Sequence, residues 1–195
     1  MNKITLGFFL AKSKMTINGL LVLVALFFIN TQVSWGQVNI NAVNTNYSQD
    51  FNALTSGTWT DNTTLAGWYS RTDATSSITA YAANTGATAT AGLYAFGVLG
   101  TNPLNDRALG FVPSNAYTGA SGTGKGYIGW RLKNNTGSFI NSITVTWTGE
   151  EWKKENNASS QNLNLSYQIG SIVNNLTTGT WVSATSIFTS PIVGA

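Results

Sequence analysis

The sequence predicts an all-β fold, an antiparallel β-sandwich of jelly-roll-like build that follows a helical signal peptide. Three observations predict it. After residue 37 apolar and polar residues alternate in short runs, with no 3.6-residue periodicity. Gly, Asn, Thr and Asp punctuate those runs at the spacing of a sandwich. Cys is absent, so the domain has to hold itself by packing and not by disulfide staples.

The leader comes first. Residues 1–36 carry Lys3, Lys12 and Lys14 without an acid, then the apolar run GLLVLVALFFI at 19–29, then Asn30, Thr31 and Gln32. Ser34 and Gly36 place small residues at the −3 and −1 positions of a cleavage site near Gly36. This is the three-part pattern of a secretory signal peptide. The apolar run has 11 residues, while a bilayer span takes about 20, so no stable membrane anchor is expected. The product would be secreted, extracellular or on the cell surface. The leader also holds the charge imbalance. Ten basic and seven acidic residues give +3 overall, but three of the lysines lie in the leader. The mature part, residues 37–195, is neutral, which speaks against nucleic acid as a partner.

The strands are expected in this order: 47–52, 67–71, 78–83, 92–97, 107–111, 125–134, 138–152, 162–170, and a short one near 180–183. The segments TGATATA at 85–91 and YTGASGTG at 117–124 read as loops. The strongest hairpin signal runs from Gly126 to Glu151, with a turn at Asn134, Asn135, Thr136 and Gly137. In its second arm Ile143, Val145 and Trp147 fall on one face and Thr144, Thr146 and Thr148 on the other. The first set is expected in the core, together with Ile128, Trp130 and Leu132. Residues 190–195 read as the middle of a loop, so the module is expected to be incomplete at its C-terminus.

Composition narrows the chemistry. No His is present, which removes Ser-His-Asp catalysis and nearly all zinc and copper sites. Glu150 and Glu151 are adjacent, and neighbouring strand residues point to opposite faces. They cannot flank one glycosidic bond without a bulge. Glu151, on the expected core face, calls for a cation, and Arg107 or Arg131 would supply a structural ion pair. Asp61 and Asp106 lie in loops and could hold a structural calcium ion, although turn capping explains them as well. No other cofactor is expected. Aromatics are abundant, at 12% of the chain, and most suit strands and core. Tyr117 in its Gly-rich loop and Trp59 between Thr58 and Thr60 are the candidates for exposed stacking platforms that would bind a polysaccharide or cell-surface glycan.

Three segments together carry a resemblance: YSQDFNAL with GTWTDNTTLAGWYS, then GLYAFG with NDRALG, then GYIGWRLKNNTGSFINSITVTWTGEEW. They resemble an N-terminal module of secreted multi-domain proteins of Bacteroidetes, many of which carry a C-terminal type IX sorting domain. The resemblance implies a jelly-roll sandwich without an assigned activity, in which Arg107, Glu151 and Trp152 are recurrent, structural positions. The expected function is therefore a secreted, non-catalytic module that binds glycans, adheres or acts as a spacer. The competing reading is a secreted hydrolase (glycosidase, nuclease or protease) or its accessory domain.

Overall fold

The computed structural model describes residues 36–74, 77–98, 106–120, 123–153, 159–173 and 175–191. Apart from Gly36, the expected signal peptide lies outside them. Among the described residues no helix is long and apolar enough to cross a membrane.

Among the described residues all regular structure is β. The strands are β1 (Val38–Ile40), β2 (Gly57–Thr58), β3 (Trp68–Thr72), β4 (Ala80–Asn84), β5 (Gly92–Phe96), β6 (Ala108–Val112), β7 (Gly126–Trp130), β8 (Leu132–Asn134), β9 (Asn162–Tyr167) and β10 (Val182–Thr189). A four-stranded sheet runs β2-β4-β5-β6, and three pairs stand beside it: β3-β7, β1-β8 and β9-β10. The expectation of purely antiparallel pairing needs correction, because β4-β5 and β1-β8 are parallel. Residues 126–134 behave as one bent strand whose single edge serves two partners in turn. Their first half pairs antiparallel with β3 and their second half parallel with β1. Arg131 joins the halves, donating its N–H to the Gly67 carbonyl (2.9 Å) while its carbonyl accepts from Val38 N (2.9 Å). Gly67 is required there. Its φ is +80°, and a Cβ would stand 3.0 Å from the Val38 side chain.

Leu54, Trp59, Ile78, Leu93 and Ala95 form the buried core cluster. Tyr81, Leu109 and Phe111 pack on it from the four-stranded sheet, and Trp68 and Ile128 from β3 and β7. Register explains the set. Leu93 lies opposite Phe111 and Ala95 opposite Leu109, so period two puts all four on one face of the sheet. Tyr94 and Phe96 fall on the other face and are buried as well. There Phe96 stacks on Trp152 at 6.3 Å. Burial on both faces is why β5 (GLYAF) carries no charge.

Two expected strands are not formed. Residues 47–52 are irregular, and Asp50 accepts the Asn52 N–H in an Asx turn. The second arm of the expected hairpin, residues 138–152, makes no ladder with any described strand. Ile143 and Val145 are consequently 56% and 47% exposed. Trp147 is half-buried, with its Nε1–H donated to Ser186 Oγ.

A polar tie fastens β3 to the start of β7. Asp73 N–H donates to the Lys125 carbonyl, while its carboxylate accepts from Lys125 N and from the Tyr127 hydroxyl (2.8 Å). Burial first, then the bond to Asp73 and its negative charge, push the Tyr127 phenol up to about 12 from 10.0. The raised value belongs to the folded state. The stability it contributes is therefore complete below pH 10 and lost as pH rises through 12. In a tyrosinate absorbance titration, wild type should show one tyrosine ionising near pH 12, and Tyr127→Phe should delete that step and flatten stability across the window.

Candidate functional site

The parallel β4-β5 pair creates the site. A parallel crossover usually takes a dozen residues or more, but here only residues 85–91 connect the strands. That loop has to run back past four residues of β5, about 13 Å. It stays on the Tyr94 side of β5, held by the Tyr94 hydroxyl, which donates to the Thr90 carbonyl (2.9 Å). Asn84 opens the loop as an Asx turn, its Oδ1 accepting from Gly86 N (2.8 Å), and Gly86 takes the turn's positive φ of +85°.

Between this loop and the sheet lies an open cleft of about 350 Å³, lined by Asn84, Thr85, Thr88, Tyr94 and Arg107 with the small residues Ala83, Ala87 and Gly97. Arg107 is only 8% exposed. Its Nη1 donates to the Ala95 carbonyl (3.1 Å) and its backbone N–H to Asn52 Oδ1 (3.0 Å). Its stem crosses Gly97, where a Cβ would come within 3.1 Å of Arg107 Cγ. No carboxylate among the described residues pairs with this guanidinium. Asn84 is 7% exposed, and its Nδ2 is buried without a partner. Such an orphaned donor costs roughly 1–3 kcal/mol unless something accepts from it. The rim is cationic too, since Lys153 Nζ donates to the Ala87 carbonyl (3.4 Å). The lining holds no carboxylate, thiol or imidazole, so it offers no acid–base pair and no activated nucleophile.

The residues singled out from sequence are dispersed. Trp59, expected as an exposed platform, is 2% exposed and central to the core. Its N–H donates to the Thr79 carbonyl, which extends the β2-β4 ladder by one residue. Thr58 and Thr60 therefore face out and Trp59 faces in. Tyr117 is half-buried against the same core, beside Phe111 at 6.3 Å. Burial, opposed by a hydrogen bond at the Leu93 backbone, raises its phenol above the ordinary value. Neither ring is an open stacking surface.

The expected ion pair is absent as well. Glu151 pairs with neither Arg107 nor Arg131; Arg131 sits by the Tyr69 hydroxyl. Glu150 is exposed and accepts from Trp152 Nε1 (2.7 Å). Among the described residues Arg71 forms an ion pair with Asp61. Asp61 Oδ1 also accepts from Trp59 Nε1 (2.8 Å) and Ser70 N (3.0 Å). Both carboxylate oxygens are thus committed to protein partners. Asp106 is exposed, and among the described residues no three His, Cys, Asp or Glu gather as a metal site would require.

Arg107 is the one cleft residue that the sequence pointed to, though for a different role. Asn84 and Thr88 were missed. The Asn-Thr-Gly turn at 84–86 was their available signal, but it looked like the start of a low-complexity loop. No family model matches the chain, and neither a curated protein nor a solved structure matches it.

Proposed function

We propose that the chain is an exported, non-catalytic β-sandwich module that binds glycans in the Asn84–Arg107 cleft. One observation carries the reading: Arg107, a guanidinium without a carboxylate partner among the described residues, lines a cleft together with Asn84, Thr85, Thr88 and Tyr94. A ligand rich in oxygen acceptors satisfies it. Thr85 and Thr88 add hydroxyls that donate and accept, which suits sugar hydroxyls. The volume falls at the small end of ligand pockets, enough for a terminal sugar or one unit of a chain. The leader pattern and the resemblance to modules of secreted multi-domain proteins support the extracellular setting. Calcium has no part in this reading, because Asp61 spends its oxygens on Trp59, Ser70 and Arg71.

A glycan array followed by calorimetry tests it. Asn84→Ala and Thr88→Val should each weaken a bound glycan by about three- to tenfold, the worth of one neutral hydrogen bond; the unfolding midpoint of Thr88→Val should stay close to wild type, whereas Asn84→Ala also removes the acceptor of Gly86 N and shifts it. Binding that ignores both changes would move the site elsewhere, and binding to no glycan would leave a spacer role.

A further inference from the structure

We infer that the cleft selects acidic sugars, with Arg107 receiving an oxyanion carried by the glycan. This rests on the glycan-binding reading above and adds the ligand's charge. Arg107 brings the one formal charge among the residues lining the cleft. Its Nη1 is held by the Ala95 carbonyl, which fixes the plane of the guanidinium and leaves its other N–H groups for a ligand. A fixed guanidinium fork is suited to two-point recognition of an oxyanion. A buried cation that no carboxylate among the described residues offsets is costly, so an anionic ligand gains where a neutral one gains little.

The surroundings reinforce the sign. Lys153 adds a second cation at the rim. Among the described acids close to these cations in sequence, Asp106 is exposed, Glu150 accepts from Trp152 Nε1, and neither they nor Glu151 line the cleft. Arg107 is the strongest polar group of the lining, and an oxyanion is the strongest acceptor a sugar carries. It comes from two sources, a uronate carboxylate or a sulfate ester.

The test compares four probes on the whole chain by calorimetry: oligogalacturonate, its methyl ester, a sulfated galactan oligomer, and the same oligomer desulfated. At least one acidic probe should bind tenfold or more tighter than its neutral counterpart, and the preferred member identifies carboxylate or sulfate. Arg107→Gln should erase that preference. Because a change at a buried arginine can unfold the chain, Asn84→Asp and Lys153→Gln provide a second route: each should lower affinity for the acidic probe more than for the neutral one. Equal affinity for charged and neutral members overturns the inference while leaving a glycan site in place. Failure of all four probes overturns it too, and a glycan array then shows whether the broader reading falls with it.

Discussion

Trp59→Ala is expected to lower the free energy of unfolding by about 3–5 kcal/mol, the usual cost of emptying a buried tryptophan site. That is a large share of a typical domain's stability, roughly 5–15 kcal/mol in total. Trp59 lies among Leu54, Ile78, Leu93 and Ala95, and meets Tyr81 edge to face at 6.0 Å. A void there is walled by sheet backbone on β4 and β5, which cannot collapse into it without breaking ladder bonds. Equilibrium urea unfolding measures the loss. A change below about 1 kcal/mol, the range of surface substitutions, would show that the ring is not in the core. The same variant separates two readings of the residue. An exposed stacking platform would lose ligand affinity at unchanged stability, whereas a core residue loses stability first.

The contrast between Trp59 and residues 138–152 shows what the sequence could and could not convey. Period-two alternation was legible in both. In T-W-T the flanking threonines faced out and the tryptophan in, as the β2 ladder requires. In SITVTWT the alternation is longer and stronger, yet Ile143 and Val145 stay largely exposed. Alternation states which face a strand would bury. It does not state which partner supplies the neighbouring ladder, and no described strand pairs with residues 138–152.

Strands β3 to β7 and β9 were legible because their apolar sets and their turns agree. The cleft was less so. It depends on a parallel crossover of only seven residues between β4 and β5, and no local pattern distinguishes that from an ordinary hairpin loop. Arg107 stood out from sequence because it is one of three arginines. Its partner was mistaken because charge balance suggested a carboxylate, whereas the fold gives it a carbonyl.

Asp61→Ala should be the second large loss, about 2–4 kcal/mol. The carboxylate is the meeting point of three donors. Trp59 Nε1 and Ser70 N both reach Oδ1, and the Arg71 guanidinium pairs with Oδ2. Ser70 is fully buried, so its N–H cannot turn to water when the acceptor goes. Each orphaned donor costs roughly 1–3 kcal/mol. The ion pair adds less, since its two side chains remain 22% and 16% exposed and solvent screens it. Asp61→Asn keeps one acceptor oxygen and should cost about half as much. A double-mutant cycle of Asp61→Ala with Trp59→Phe isolates the indole bond, with a coupling of about 0.5–3 kcal/mol expected for contacting residues. Added calcium or a chelator should leave the Asp61→Ala loss unchanged, because the oxygens a metal would need are already filled by N–H groups. A loss that grew with calcium would show that a metal, and not the Trp59–Ser70–Arg71 set, is what the carboxylate holds.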